Sequence, residues 1–248
     1  MLLCSFTLSL FIMTSGILVG SDQTQEWLLP WWWENYSRHN QHSVAFVDFG
    51  MSFEKKAWCR ERGELIALRV IDFAAEQTEI PPALATDWEN QFGKSFWKSR
   101  GAWFKKPLAC VQSPFDRTIW VDLDCEIRGS LTPLFSLTEH PSGIALAKDL
   151  EGQSPYQIYN SGVIVFQKNL PLLHSWAQES FRQNHLFRGD QELLSFLIAE
   201  QKLPIAEVPL LYNWSRCRED EPKAVVRHWH GEFGRSVIKH EMWTRGLE

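Results

Sequence analysis

The sequence lacks a cysteine framework. Its five cysteines are Cys4, Cys59, Cys110, Cys125 and Cys217. They are odd in number and form no C-x-x-C pair, which argues against a disulfide scaffold or a structural zinc site and for reduced thiols. There is no basic excess either: 25 lysines and arginines against 30 acids give a formal net charge of −5. That excludes the usual profile of a nucleic-acid binder, though not a local basic pocket for a phosphate ligand. No internal repeat, low-complexity tract or linker interrupts the chain. Met1 to Gly20 carries no charge at all. It has the length of a signal peptide or a marginal membrane segment but not the positive leader of one. The expectation is a cytoplasmic protein whose first buried strand ends at Ser21-Asp22, with Met13 as an alternative start. A membrane anchor through the apolar N-terminus is the competing expectation.

What is present is an ordinary globular composition, 44% hydrophobic and 22% charged over 248 residues, with 13 tryptophans. Most of these tryptophans are expected in the core, and a minority are expected to stack on sugar or base faces. Short apolar runs at Ile17–Val19, Ser43–Asp48, Leu65–Ile71 and Thr118–Val121 alternate with helical stretches at Gln25–Tyr36, Phe53–Gly63 and Trp97–Val111, the last with a kink expected at Pro107. Gly143–Ala147 and Gly162–Phe166 read as strands and Val208–Leu211 as another. Leu170–Asn184 and Gln191–Gln201 read as helices. This alternation is an α/β pattern in one large domain.

Chemistry concentrates in five segments. Thr118–Ile127, TIWVDLDCEI, ends an apolar run in Asp122 and Asp124. On an extended strand both carboxylates would point to one side and repel each other unless a cation such as Mn2+ or Mg2+ sat between them. Asn160-Ser161-Gly162-Val163 puts a glycine where a ligand could approach the backbone. Gly189-Asp190-Gln191 precedes a helix, so Asp190 is either a cap or a carboxylate offered to a substrate hydroxyl. Leu211-Tyr212-Asn213-Trp214 reads only as a turn carrying a polar and an aromatic side chain. His228-Trp229-His230-Gly231 leads through a glycine-rich turn to Arg235, a combination suited to a metal and a phosphate.

In this order and spacing the segments resemble glycosyltransferase family 8 and its relatives, over residues 17 to 235. The resemblance implies a GT-A fold: a Rossmann-like mixed central sheet flanked by helices in a single domain spanning 16–248, with a nucleotide-binding half of about 16–128, an acceptor half of about 129–248 and an apolar extension at 1–15. It also implies a retaining hexosyltransferase that uses Mn2+ or Mg2+ and a nucleotide diphosphate sugar, foremost a UDP-sugar. The acceptor would be a glycan, lipid or protein. By resemblance, Asp122, Asp124 and His228 would hold the metal, with His230 an alternative to His228. Ser21 and Asp22 would lie near the uracil and ribose, and Asp122 would be shared with the ribose. Of the basic residues upstream of the two aspartates, Arg100, Lys105 and Lys106, Lys105 best matches the family's donor-facing position. Gly231 and Arg235 would face the diphosphate. The family's usual lysine position holds Gly234, so Arg235 would replace that lysine. Asp190, Gln191 and Asn160 would serve the transferred sugar. Two other readings compete: a nucleotidyltransferase, disfavoured because Gly20–Gln25 is no glycine-rich phosphate loop, and a catalytically degenerate relative that binds glycans through its tryptophans.

Overall fold

A computed structural model describes residues 13–68, 70, 72–150 and 156–247. The expectation for Met1 as the start therefore lies outside the described residues. Among them, no helix is long and apolar enough to cross a membrane.

The first four sheet elements are β1 (Ser15–Ser21), β2 (Ser43–Asp48), β3 (Glu64–Ala67) and β4 (Arg117–Val121), which run parallel to one another. After β4 the chain turns sharply into a short strand, β5 (Cys125–Ile127). It then returns to the sheet as β6 (Ile144–Lys148), β7 (Tyr159–Gln167) and β8 (Ala206–Glu207). The seven strands lie in the order β3-β2-β1-β4-β7-β6-β8, and β7 runs antiparallel to both its neighbours. The sheet is therefore mixed, as the sequence resemblance implied. The strand expected at Val208–Leu211 is displaced: β8 ends before it, and Leu210–Tyr212 is a 3-10 turn. A second small sheet joins β5 to β10 (Val226–His228) and β9 (Trp214–Ser215).

Both faces of the main sheet are buried, which is why its strands read as unbroken apolar runs. Ile17, Val19, Ile119, Val121, Val163 and Val165 point to one face. There they pack with Trp31 and Trp32 of α1 (Leu29–Ser37), and the same core takes in Ile238 of the C-terminal helix, Gly231–Arg245. Leu18, Trp120, Ile164 and Phe166 point to the other face. That face is covered by three helices, Trp97–Val111, Pro171–Gln183 and Asp190–Glu200, whose buried anchors are Phe104, Trp176 and Leu193. With α2 at Phe53–Arg60 and α3 at Pro82–Phe92, the four helices just named become, in chain order, α4 (Trp97–Val111), α5 (Pro171–Gln183), α6 (Asp190–Glu200) and α7 (Gly231–Arg245). Helix α4 runs unbroken through Pro107, where the sequence suggested a kink. The glycine-rich turn expected after His230 is instead the first turn of α7, and His230 is its N-cap.

Candidate active site

The two aspartates take different partners. Strand β4 stops at Val121, and the Cys125 amide donates to the Asp122 carbonyl at 3.1 Å, closing a corner around buried Leu123. Alternation holds only along extended backbone, so the corner sends the two carboxylates to different partners.

Asp122 turns toward α4. Its Oδ1 accepts from the Trp120 indole N–H at 2.7 Å, and the Lys106 Nζ lies 3.0 Å from Oδ1 and 3.2 Å from Oδ2. The same ammonium is 3.2 Å from Asp190 Oδ2 and donates to the Ser161 hydroxyl at 3.1 Å. Ser161 Oγ in turn donates to Asp190 Oδ2 at 2.8 Å. Lys106 is thus a buried cation clasped by two carboxylates. Burial by itself opposes its charge, but Asp122 and Asp190 override that and raise its pKa above the ordinary lysine value. Burial raises the pKa of Asp122, with Lys106 the main opposing influence.

Asp124 turns toward β10. The antiparallel register of the small sheet sets His228 against Cys125, next to Asp124. His228 Nε2 lies 3.2 Å from Asp124 Oδ1. Which ring nitrogen carries hydrogen is fixed by a chain of bonds that begins at a backbone donor. Gly162 N–H donates to Asn160 Oδ1 at 2.9 Å, so that oxygen is an acceptor. The Asn213 amide nitrogen donates to the same oxygen at 2.8 Å. Asn213 Oδ1 therefore faces His228 Nδ1, at 3.0 Å, and Nδ1 must carry the hydrogen. That leaves the Nε2 lone pair aimed at a carboxylate oxygen, an arrangement that requires a proton or a metal ion between them. Burial lowers the His228 pKa, but the Asp124 charge and hydrogen bond outweigh it and the net shift is upward. Asp124 is held below the carboxylate range: His228, then Arg235 and His230, overcome the burial that would raise it.

A carboxylate oxygen and an oriented imidazole nitrogen suit a divalent cation, so the donor set fits the metal that the sequence resemblance implied. Cys125 Sγ lies within the same 4.8 Å group. Burial and the nearby carboxylates keep it a protonated thiol, and it hydrogen-bonds the Gly162 carbonyl instead, at 3.8 Å. His230, the alternative ligand, has its Nε2 on Ser215 Oγ at 2.9 Å, and its ring stands 5.2 Å from that of His228.

Glycine positions are explained by these contacts. A Cβ at Gly162 would lie 2.3 Å from His228 Cε1, so the glycine of the N-S-G-V turn makes room for the histidine rather than for a ligand at the backbone. Gly162→Ala is expected to swing the ring off Asp124 and weaken Mn2+ binding by about 10–100-fold, as loss of a ligand's support does; Mn2+ calorimetry on the folded variant checks this. At Gly234 a Cβ would fall 1.7 Å from the Trp229 carbonyl. No lysine fits there, and the next residue, Arg235, carries the cation into the cleft. Gly231, with φ at 80°, lets the chain enter α7 in a conformation that side chains avoid.

The remaining site residues separate into two groups. Asp190, Gln191 and Asn160 line the same cleft, of ≈ 1250 Å³, as Lys106, Asp122, Asp124, His228, Gly231 and Arg235. Gln191 is spoken for at both ends: Oε1 accepts from the Ser161 amide at 3.2 Å and Nε2 donates to Asp149 at 2.9 Å. Asn160 Oδ1 is consumed in orienting Asn213 and, through it, His228. Ser21, Asp22 and Lys105 do not line the cleft. Ser21 and Asp22 end β1; Asp22 Oδ1 caps the following turn through Thr24 and Gln25 N–H. Lys105 donates to the Phe49 carbonyl at 2.9 Å and pairs with Asp72. Of the two, Lys106 is the one that lines the cleft, since adjacent helical residues point about 100° apart. The readable signal was the i, i+4, i+7 spacing of Ser99, Trp103 and Lys106, all of which face the cleft. Ser161, Trp120, Asp149 and Asn213 also had no role in the sequence reading; only their contacts reveal one. The cleft takes Trp103 from the first half of the chain and Arg216 to Arg235 from the second, so the division near residue 128 does not separate its walls.

No family model matches the sequence, and no curated protein matches it. Solved structures do. The chain is similar to the galactosyltransferase LgtC, described in complex with donor and acceptor sugar analogs, at 16% identity and a TM-score of 0.59, over 93% of this chain and 95% of that one. It is similar to the glycosyltransferase GlyE of Streptococcus pneumoniae at 18% identity and a TM-score of 0.56, over 95% of this chain and 64% of that one. Mouse xyloside xylosyltransferase 1 matches at 15% identity and a TM-score of 0.55, over 87% and 97%. The chain therefore has the GT-A fold of these glycosyltransferases.

Proposed function

We propose that the protein is a metal-dependent, retaining glycosyltransferase that moves a hexose from a nucleotide diphosphate sugar, most plainly a UDP-sugar, to an acceptor hydroxyl. The observation that carries this reading is the Asp124–His228 pair, with its imidazole tautomer set by Asn213 and its open side in a cleft that also holds Arg235. The glycosyltransferases that share the fold add to it. Asp124 and His228 would hold Mn2+ or Mg2+, which would supply charge to neutralise the leaving diphosphate. Arg235 and the first-turn amides of α7 at Gly231 would bind the same phosphate oxygens. Asp122 is held by Lys106 and Trp120, so it would contribute to the metal and ribose mainly as a nearby charge.

In the transfer, the acceptor oxygen bonds to the anomeric carbon as the bond to the diphosphate oxygen breaks. The electron pair stays on that oxygen, and the acceptor hydroxyl's proton passes to the diphosphate. Because Asp190 Oδ2 is engaged by both Ser161 and Lys106, this arrangement favours attack from the front face over a covalent adduct at Asp190. Gln191, held by Ser161 and Asp149, would position the turn, and the amide end of Asn160 would meet sugar hydroxyls. Three buried free thiols, Cys59, Cys110 and Cys125, suit a reducing compartment and a cytoplasmic location.

UDP release from a panel of UDP-hexoses, followed with Mn2+ and with excess EDTA, tests the reading. Release is expected with Mn2+ and loss of release with EDTA. Equal rates in both, or none with any donor alongside no UDP binding, would remove it.

A further inference from the structure

The cleft carries two kinds of wall. The segments after β8 bring Arg216, Arg218 and Arg235. Helices α3 and α4 bring aromatic rings instead, including Trp88, Phe92 and Trp103. Trp103 is the informative one. It stands one turn before Lys106 on the same helix face, and its indole rests on the D-Q turn: a Cβ at Gly189 would lie 3.2 Å from Trp103 Cε3. A glycine immediately before Asp190 therefore lets the ring approach the reaction centre. The indole is half-buried, and its N–H has no hydrogen-bond partner among the described residues. By contrast Trp31, Trp97, Trp120, Trp176, Trp214 and Trp229 each spend that donor within the fold.

The polar groups beside this wall are planar hydrogen-bonding side chains: Asp87, Gln91, Arg188 and Glu192. Gln91 donates to Asp87 at 2.9 Å, and Arg188 reaches Gln91 Oε1 at 3.3 Å and pairs with Glu192 at 2.5 Å. The Arg188 guanidinium also lies over Phe92, 4.0 Å from the ring centre. With the one cation already neutralised by Glu192 and by its place on Phe92, the wall offers little to a phosphate. The interleaved carboxylates and amides do not suit an alkyl chain. Aromatic faces with adjacent planar donors and acceptors suit a sugar ring, whose axial C–H face stacks while its hydroxyls take the amides and carboxylates.

We infer that the Trp103 wall is the acceptor subsite and that the acceptor presents a neutral sugar ring there. This rests on the glycosyl-transfer reading. The test uses saturation-transfer NMR with methyl β-D-glucopyranoside and methyl β-D-galactopyranoside on the full chain, with UDP calorimetry in Mn2+ run in parallel. At least one glycoside is expected to show saturation transfer that falls about fivefold in Trp103→Ala, the size of effect one lost aromatic contact produces. UDP affinity should stay unchanged in the same variant, which also reports its folding. Should the alanine variant not fold, Trp103→Leu keeps the bulk without the aromatic face, and the same loss is expected of it. Absence of transfer to both glycosides in the wild type, or undiminished transfer in the variants, overturns the inference. Failure of UDP to bind while the glycosides still saturate in a Trp103-dependent way would remove the donor reading and leave a sugar site.

Discussion

Asp124→Asn is expected to lower Mn2+ affinity by more than about 100-fold and to abolish metal-dependent UDP release. Loss of a group that only supports a metal ligand costs 10–100-fold, and Asp124 is the ligand itself. The amide keeps the shape but removes the charge that holds its pKa partner, His228, in its raised state. It also presents only a neutral oxygen or an amide N–H to Nε2, the nitrogen that the Asn213–Nδ1 bond leaves without hydrogen. Mn2+ calorimetry and a donor-release assay read the two effects separately. Wild-type release in Asp124→Asn would sink the metal assignment. The reciprocal expectation for Asp122 is weaker metal dependence, because both of its oxygens already take protein donors.

Lys106→Met is expected to give the largest loss of stability. It leaves Asp122 and Asp190 buried with no cation between them, and breaking a buried pair by removing one partner costs roughly 3–5 kcal/mol. For a chain of this size that corresponds to roughly 6–20 °C in Tm. The loss should depend on pH, with a definite sign. The Asp122 pKa already stands above its ordinary 3.8 in the fold because burial outweighs Lys106. Without Lys106 it rises further. A carboxyl whose folded pKa is raised contributes stability below its unfolded value and loses it as pH climbs through the folded value. The variant should therefore unfold more readily at pH 8 than at pH 5. Urea titrations at the two pH values measure the difference. An equal penalty at both would mean that the Lys106–Asp122 contact is not what Lys106 contributes.

The strands of the sheet were readable because both of its faces are buried, which writes each strand as an apolar run that needs no partner to be recognised. The site was readable in its members but not in its pairings. Asp122 and Asp124 stood out in the sequence, and both line the cleft. Their different partners were hidden, because alternation assumes an extended backbone and the chain turns at Leu123. Lys105 and Lys106 are neighbours in the sequence, and only the face of α4 that meets the sheet separates them. The glycines of the N-S-G-V turn and of the helix after His230 were visible as glycines. What they make room for, the His228 ring and the Trp229 carbonyl, belongs to segments far along the chain or around a helix corner.

From the sequence alone come the α/β class, the resemblance that implied the mixed sheet, and the candidate carboxylates, histidines and cations, because local periodicity and residue chemistry act over a few positions. Only the tertiary structure decided that β10 lies against β5 and so gives Asp124 to His228, that Asn213 sets the imidazole tautomer, and that Lys106 binds Asp122 to Asp190. These are contacts between segments distant in sequence, and no local pattern encodes them. They depend on strand register and on which helix face is buried, and those are settled when the whole core packs.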